Sequence, residues 1–220
     1  MIEQGSTEWF AERCGKVTAS RVADVVARTK SGWGASRANY MAQLVAERLT
    51  GTVAESYTNA AMQHGIDTEA EARSTYEFFT NSTVEPASFV AHPSIADTGA
   101  SPDGYVAFAG LVEIKCPNTA THIETLLTGS VAAKYATQIQ WQLACTKRAW
   151  CDYVSYDPRL PPSMSLFIKR VPRDDALIKS LETDVTEFLA ELRLTVHRLR
   201  AKYEPEAVQP GELLDDGGLR

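Results

Sequence analysis

The sequence lacks several features that identify common classes of protein. Its 220 residues contain no apolar run close to the roughly 20 residues that a membrane-spanning helix needs. The first ten residues, MIEQGSTEWF, have neither the basic nor the apolar region of a secretory signal. No linker rich in proline, glycine and serine divides the chain, and no internal repeat is present. We therefore expect a cytoplasmic protein without membrane association, with one domain over residues 1–203 and a loose acidic tail over residues 204–220.

Cysteine is also scarce. The four cysteines are Cys14, Cys116, Cys145 and Cys151, and they form no CxxC pair and have no histidine at zinc-ligand spacing. This pattern argues against a structural zinc site. In a reducing cytosol it predicts four free thiols.

The chain has no excess of positive charge: its formal net charge is -6, which argues against a uniformly basic nucleic-acid binder. The charges are unevenly distributed, however. Residues 204–216 contain five acids and no base, whereas residues 13–37 contain six bases and one acid. The six bases are Arg13, Lys16, Arg21, Arg28, Lys30 and Arg37. This basic stretch is either a solvated face or a contact for DNA.

Hydrophobic periodicity predicts a mixed architecture. The predicted helices cover residues 6–13, 18–28, 36–50, 59–79, 132–146 and 174–203. The predicted strands cover residues 82–93, 105–109, 110–117, 149–157 and 163–172, with Gly110 as the turn of a hairpin. The fold class is α/β or α+β, with a central mixed sheet of about five strands flanked by helices.

The hairpin carries an unusual set of charges. Side chains alternate between the two faces of a strand, so Glu113 and Lys115 point the same way while Ile114 points into a core. Asp103 follows Ser-Pro at the start of the facing strand. Pairing of the two strands would bring both carboxylates and the ammonium to one corner of the sheet.

Two carboxylates and a main-chain carbonyl are suitable ligands for Mg²⁺, which usually completes its octahedron with water and phosphate oxygens. Such a site favours hydrolysis of a phosphodiester, with the lysine positioning or deprotonating the nucleophile. A Glu-x-Lys triplet is nevertheless expected about once by chance in a chain of this length. Ser-Pro-Asp-Gly is also a common turn sequence.

A resemblance to a known family supports the nuclease interpretation. Asp103 followed by Glu-Ile-Lys resembles the PD-(D/E)XK nuclease superfamily, and SPDG…EIKCP resembles the phage lambda-type exonucleases, or YqaJ-like viral recombinases. Further similar blocks follow the family's order and run from residue 3 to about residue 170. They are EQGSTEWFAERCGKVTAS, HGIDTEAEAR, YATQIQWQLACTKRAW and YDPR. The resemblance implies a restriction-endonuclease-like fold.

The resemblance also implies roles for individual residues near the hairpin. Asp103, Glu113 and the Ile114 carbonyl would bind two Mg²⁺ ions, for which Mn²⁺ would substitute, and Lys115 would activate water. Glu69 would add a further carboxylate, although acids on a helix are often only solvated surface. Gln138 and Gln142 share one helical face, and we rank Gln138 first as the family's catalytic glutamine.

The DNA contacts implied by the resemblance lie mostly near the N-terminus. Arg13, Ser20 and Ser101 match the family's pocket for a 5′-phosphate, which an arginine fork suits. Met62 matches an apolar wedge between the last base pairs, although it could equally be a core residue. The basic stretch with Arg28 and Lys30 is expected to contact DNA.

Two positions depart from the family pattern. Lys30 stands where the family has an arginine, so a bidentate fork becomes a point charge. Thr121 and His122 occupy the neighbourhood of a backbone-contacting arginine. Binding or processivity could differ from the family for these reasons.

The resemblance implies an alkaline-type deoxyribonuclease. It would digest linear double-stranded DNA 5′→3′ from 5′-phosphorylated ends, release mononucleotides and leave 3′ overhangs for recombination. It implies a ring-shaped homotrimer and a single-strand annealing protein as partner. Two other readings remain open: a restriction-type endonuclease, and a DNA-end binding subunit that recruits the annealing protein without cutting.

Overall fold

The structure is a computed structural model that describes residues 4–30, 32–53 and 60–204, without the side chains of residues 60–62, 64 and 66. The helices in these ranges are α1 (Thr7–Arg13), α2 (Val22–Val25), α3 (Ala35–Thr50), α4 (Ala60–Thr80), α5 (Thr119–Thr128), α6 (Ala133–Thr146) and α7 (Asp175–Tyr203), with a 3-10 helix at Ala19–Arg21. The strands are β1 (Val17–Thr18), β2 (Arg28–Thr29), β3 (Gly32–Trp33), β4 (Val84–Glu85), β5 (Val90–Ala91), β6 (Thr98–Ala100), β7 (Gly104–Val106), β8 (Gly110–Lys115), β9 (Trp150–Tyr156) and β10 (Leu166–Pro172).

The central sheet has five strands in the order β10-β9-β8-β7-β4. Strands β8 and β9 are parallel, and the other neighbours are antiparallel. The predicted mixed sheet of about five strands flanked by helices is therefore confirmed. A second sheet has the order β1-β6-β5, and β2 pairs with β3 in a two-stranded hairpin.

Both faces of β8 are covered, which explains why its sequence is almost continuously apolar. On one face, Val112 and Ile114 join a core with Ala72 and Tyr76 of α4. On the other face, Leu111 joins a core with residues of α6 and β9. Glu113 and Lys115 alternate with Ile114, so they belong to the face that carries α6.

A third core lies between the N-terminal helices and α7. Its members are buried side chains from β1, α2, α3, α6 and α7, together with Ala100 of β6. Helix α7 supplies Leu181, Val185, Phe188, Leu189 and Leu192. The long helix therefore packs its apolar face against the body of the protein.

The segment predicted as one strand over residues 82–93 is in fact two. Strand β4 pairs with β7 in the central sheet, whereas β5 pairs with β6 in the second sheet. Pro86 lies between them and has no N–H to donate to a ladder, so the chain leaves one sheet there and joins the other.

The predicted hairpin is confirmed, and its turn lies just before Gly110. Gly110 is the first residue of β8 and pairs with Val106, while the turn lies at residues 107–109, where Ala107 has φ 49°. A Cβ on Gly110 would lie 2.2 Å from the ring of Trp150. The glycine is there because an aromatic ring fills the space of a side chain.

The sequence-based prediction missed helix α5 and the short strands β1, β2, β3 and β6. Helix α5 has two end signals, since Asn118 caps its N-terminus by accepting from Thr121 N and Gly129 follows in the left-handed region. The single helix predicted over residues 18–28 is a 3-10 turn followed by four residues of α-helix. Very short strands have no sequence periodicity long enough to detect.

All four cysteines are free thiols in the structure, as predicted. In the described part of the chain, no helix is both long enough and apolar enough to cross a bilayer. The expectation about a tail concerns residues 204–220, of which all but Glu204 lie outside the described residues.

Candidate active site

Glu113 is the centre of the candidate site and is fully buried. It lies on β8, and helix α6 presents two amides to it from successive turns. Gln138 Nε2 donates to Glu113 Oε1 at 2.5 Å, and Gln142 Nε2 donates to Glu113 Oε2 at 2.5 Å. Lys115 Nζ forms an ion pair with Oε1 of the same carboxylate. The buried charge is thus held by three donors, which offsets the cost of removing it from water.

Asp103 lies beside Glu113 on the neighbouring strand pair. It precedes β7, whose Gly104 pairs with Val112, and its Oδ2 accepts the Ile114 N–H at 2.7 Å. Burial raises the pKa of Asp103 well above its usual value, and the charges of Glu113 and Glu69 raise it further, although Lys115 and the Ile114 N–H oppose the rise. Burial and the neighbouring carboxylates therefore both disfavour the ionised form of Asp103.

Glu69 reaches this corner from helix α4. Gly65, one turn earlier, faces the end of β8, since a Cβ there would lie in ordinary contact, 3.9 Å from the Cys116 carbonyl oxygen. Burial raises the pKa of the Cys116 thiol to about 12, with Glu69 and Asp103 adding to the rise. Glu69 also accepts from Arg73 Nη2 at 3.0 Å. Its charge acts on both Asp103 and Cys116, which places it at the edge of the site.

Lys115 keeps its proton in this arrangement. Burial alone would favour the neutral amine, but the carboxylates of Glu113 and Asp103 raise the pKa of Lys115 above its usual value. Its ammonium also lies 5.4 Å from the centre of the Tyr135 ring on α6. A positive charge held here can position an anionic oxygen, and it becomes a base only when the neighbouring carboxylates are neutralised.

The residues present suit a divalent cation. Asp103 and Glu113 are adjacent carboxylates, and the pKa of Asp103 is raised first by burial and then by the charge of Glu113, both of which a bound cation would offset. Among the described residues, no three His, Cys, Asp or Glu side chains converge to form a complete metal cage. Mg²⁺ does not require one, because it is usually bound by one or two carboxylates plus water and substrate oxygens. The Ile114 carbonyl remains a predicted ligand.

Two of the three residues predicted to bind a 5′-phosphate are in direct contact. Arg13 Nη1 donates to Ser101 Oγ at 2.9 Å, and Trp9 Nε1 donates to the same oxygen at 3.1 Å. Burial lowers the pKa of Arg13 to about 10, and no carboxylate pairs with it among the described residues. Ser101 is two residues before Asp103, at most about 7 Å along the chain. A partly desolvated cation without a counter-ion therefore lies next to the acidic corner.

The third residue, Ser20, is exposed and lies 3.5 Å from Thr18 Oγ1. No hydrogen bond joins it to Arg13 or Ser101 in the described part of the chain. The structure thus brings Arg13 and Ser101 together, whereas Ser20 lies in the 3-10 helix that follows β1 and hydrogen-bonds to neither of them among the described residues.

The predicted DNA-contacting residues Arg28 and Lys30 lie on the β2–β3 hairpin. Arg28 lies 3.8 Å over the Trp33 ring and pairs with Asp184 of α7 at 3.1 Å. Lys30 is exposed. Neither forms a hydrogen bond or ion pair with the acidic corner in the described ranges. The side chain of Met62, the predicted wedge, lies outside the described residues.

Two residues of the site were ranked too low or not named from the sequence. Gln142 contacts Glu113 as closely as Gln138 does, and the i, i+4 spacing of the pair was the available signal. Trp9 supports both Arg13 and Ser101, with the Arg13 guanidinium 3.8 Å over its ring. His122 is fully buried, with hydrogen bonds to Ser155 Oγ and the Met164 carbonyl, so it has no surface to offer DNA.

Comparison with known proteins identifies the group to which this site belongs. Residues 8–149 match the YqaJ-like viral recombinase domain. The crystal structure of LHK-Exo, an alkaline exonuclease from Laribacter hongkongensis, is 54% identical and covers 90% of this chain and 97% of its own, with a TM-score of 0.84. The structure of LHK-Exo in complex with dAMP gives the same identity and coverage and a TM-score of 0.85. No curated protein sequence matches the chain significantly.

A phage-related exonuclease from Haemophilus somnus 129PT is 14% identical, covers 84% of this chain and 96% of its own, and has a TM-score of 0.69, which shows a shared fold alone. The comparisons confirm the prediction, made from the blocks around Asp103 and Glu113, of a deoxyribonuclease in the lambda-type exonuclease group. The chain belongs to the YqaJ-like viral recombinase family.

Proposed function

We propose that the protein is a Mg²⁺-dependent 5′→3′ exonuclease. It digests one strand of linear double-stranded DNA in the cytoplasm from 5′-phosphorylated ends, releases mononucleotides and leaves 3′ overhangs for annealing. The observation that carries the proposal is the adjacency of two groups. The Asp103–Glu113–Lys115 corner lies two residues along the chain from the Arg13–Ser101 pair.

The N-terminal pair explains the preference for a 5′-phosphate. Arg13 makes no ion pair among the described residues, so its guanidinium is available for two parallel hydrogen bonds to a phosphate. Ser101 Oγ already accepts from Arg13 and Trp9, and its own hydroxyl hydrogen remains to be donated. An end without phosphate leaves the partly buried cation without a partner, which disfavours binding.

The acidic corner performs the hydrolysis in this proposal. Asp103, Glu113 and the Ile114 carbonyl would hold two Mg²⁺ ions, with Glu69 as an outer carboxylate. The ions supply a more acidic bound water and offset charge that grows on the phosphate. Gln138 and Gln142 fix the orientation of Glu113, and Lys115 orients the attacking oxygen and accepts its proton once its carboxylate neighbours are neutralised.

The related LHK-Exo structure contains dAMP, a mononucleotide of the kind that an exonuclease releases. At 54% identity over 90% of the chain, the same product class is a reasonable proposal for this protein. We also propose a homotrimeric ring and a single-strand annealing partner. A ring would let the basic residues of the N-terminal region face DNA while the excess of acids faces solvent.

Digestion of three DNA substrates tests the proposal: a linear duplex with 5′-phosphates, the same duplex with 5′-hydroxyls, and a closed circle. We expect rapid digestion of the first in Mg²⁺, slower digestion of the second and none of the circle. Ca²⁺ should not support the reaction, because its larger and looser shell positions water poorly. Lys115→Ala should lower the rate at least about 100-fold, while the exposed Lys134→Ala on α6 should not.

The alternatives predict different results. Cutting of the circle would indicate an endonuclease of the restriction type. Tight binding of duplex ends without cleavage in Mg²⁺ or Mn²⁺ would indicate a DNA-end binding subunit. Full activity of Lys115→Ala would contradict the proposed mechanism.

A further inference from the structure

A second basic site lies outside the acidic corner, in an open cleft of about 480 Å³. Four parts of the chain form it: the turn after α1, the C-terminal end of α3, the residue before β6, and one face of α7. Its lining residues with ionisable side chains are Cys14, Lys16, Arg48, Asp97, Arg193, His197 and Arg200. Four permanent cations thus surround a single carboxylate, in a chain whose net charge is -6.

The one carboxylate does not neutralise this cleft. Asp97 Oδ2 lies 3.1 Å from Arg48 Nη2 and 3.9 Å from Arg193 Nη1, so two arginines share it. Arg48 Nη2 is buried and makes no hydrogen bond of good geometry despite that contact. Burying a guanidinium without full hydrogen bonding is costly. Arg48 Nη2 thus has an ion-pair partner in Asp97 but no hydrogen bond of good geometry, and an anionic oxygen in the cleft would supply one.

The arginine is also held in place from behind. Arg48 Nε donates to the Gly15 carbonyl at 2.9 Å, and Gly15 has φ 68°, with space for a Cβ filled by Arg48 Cγ at 2.9 Å. Glu47 does not face the cleft with a free oxygen, since its two oxygens accept from Gly15 N and Gln43 Nε2. Glycine at position 15 therefore leaves room for the Arg48 side chain, which a Cβ there would obstruct.

The other cations line up along α7. Arg193, His197 and Arg200 have i, i+4 and i+7 spacing and share one face of the helix. Arg200 forms an ion pair with Glu204 at 3.5 Å, which is half-exposed at both ends and weak. Lys16 makes no ion pair within the described ranges. The α7 cations therefore form a row along one side of the cleft, and Lys16 and Arg48 line it from other segments.

We propose that this cleft binds the phosphate backbone of a DNA strand whose end occupies the candidate active site. The inference rests on the proposed function. Phosphodiester oxygens are the ligand that a row of arginines and lysines suits best. None of the described lining residues is Phe, Tyr or Trp, and the imidazole of His197 is the one ring among them, so the cleft has no extended platform on which successive bases would stack. It is therefore suited to sequence-independent contact with a backbone.

The position of the cleft supports a shared strand. Lys16 is three residues after Arg13, at most about 10 Å along the chain, and Asp97 is six residues before Asp103, at most about 20 Å. Strand β6 connects Asp97 to Ser101, and β1, which follows Lys16, pairs with it in parallel. A DNA strand bound at Arg13 and Ser101 need extend only a few phosphates to reach Lys16.

Binding of a 5′-phosphorylated, 3′-labelled single-stranded 20-mer, measured by fluorescence anisotropy in EDTA over a KCl series, tests the inference. The variant is Arg193→Gln with Arg200→Gln, and Lys16→Gln is a second, independent variant. The matched control is Arg198→Gln with Lys202→Gln, which removes the same charge from exposed positions of α7 outside the cleft. Thermal unfolding of each variant checks that it is folded.

We expect the double variant to weaken binding on the order of tenfold at 0.1 M KCl and to lower the slope of log K against log [KCl] by about 1 to 2, with Lys16→Gln lowering it by about half as much. The control should keep the slope of the parent. An unchanged slope in both cleft variants, or an equal loss in the control, would overturn the inference.

A second experiment measures the effect of inorganic phosphate alone on thermal unfolding. If inorganic phosphate raises the Tm of the parent but not of the double variant, while oligonucleotide binding is unaffected, the site takes a free anion and the strand assignment is wrong.

The two proposals fail differently. If the proposed function is wrong, the parent protein does not digest linear duplex in Mg²⁺. If only the inference about the cleft is wrong, the parent protein still digests linear duplex, but the cleft variants leave the salt slope unchanged.

Discussion

At the scale of single residues, the site depends on a charged side chain that has no exposed surface. Glu113 is tolerated in the core because Gln138, Gln142 and Lys115 all donate to it. Each glutamine donates one hydrogen bond to the Glu113 carboxylate, Gln138 to Oε1 and Gln142 to Oε2. Gln142 Oε1 is buried and has no hydrogen-bond partner among the described residues. The hydrogen bond that Gln142 Nε2 donates to Glu113 is therefore the interaction that explains the amide at this position.

Gln142→Ala should slow digestion of linear duplex about 10- to 100-fold and raise the Mg²⁺ concentration needed for half-maximal rate, because groups that orient metal ligands contribute effects of this size. The measurement is a Mg²⁺ titration of the initial rate. Gln140→Ala is the control on the same helix. Its side chain donates to the Pro172 carbonyl and accepts from Asp174 N, away from Glu113. It should cost about 1 kcal/mol of stability and leave the Mg²⁺ dependence unchanged; equal effects of the two variants would contradict the assignment.

At the scale of elements, the site depends on how the end of β9 is fastened to the segment that follows β8. Asp157 has a fully buried side chain and accepts from Arg159 Nε at 2.6 Å and from Arg159 N at 3.0 Å. Arg159 Nη2 also donates to the Pro117 carbonyl at 3.1 Å. Burial opposes ionisation, but the hydrogen bonds from Arg159 and Thr119 lower the pKa of Asp157 to about 2. The pair thus connects the loop after β9 to both ends of the turn between β8 and α5.

Asp157→Asn should lower the free energy of unfolding by about 2 kcal/mol at pH 7, the value of a pKa shift of this size. Because the folded pKa lies below the unfolded value, the contribution is complete above about pH 4 and is lost as the pH falls towards 2. Urea unfolding of parent and variant between pH 7 and pH 2 measures this. The difference should shrink over that acid range, and a constant difference would show that Asp157 acts only through packing.

The control for this prediction is Asp175→Asn. Asp175 pairs with Arg173 at 2.6 Å, but its side chain is 81% exposed. An exposed pair contributes little, so the variant should stay within about 1 kcal/mol of the parent.

At the scale of the whole molecule, the distribution of charge matters more than its sum. The chain carries a net charge of -6, yet Arg13 makes no ion pair among the described residues, and the cleft between α3 and α7 is lined by four cations. Both basic regions lie close to β1 and β6. An acidic molecule can therefore bind a polyanion when its cations share one side.

The proposed ring predicts the mass of the assembly. Light scattering during gel filtration should give three times the chain mass of 24.1 kDa at micromolar concentration, and the value should not change on dilution if the ring is closed. A mass equal to one chain would contradict the trimer. It would leave the nuclease proposal intact, since all residues of the acidic corner come from one chain.

The sequence by itself determined the local parts of this protein. The long helices, the strands from β7 to β10 and the pairing of Asp103 with Glu113 followed from periodicity and from the alternation of side chains on a strand, which are properties of neighbouring residues. Helix α3 ends at Gly51 as predicted, because a glycine with φ 68° relieves the backbone there.

Only the tertiary structure decided the contacts between distant segments. These contacts depend on how helices are placed against sheets. Examples are the hydrogen bonds from Gln142 to Glu113, from Trp9 to Ser101 and from Arg48 to Gly15. No periodicity encodes such placement, since it arises when separate apolar faces are buried together. The same reason explains why residues 82–93 divide between two sheets and why the Trp150 ring occupies the space that a side chain at position 110 would need.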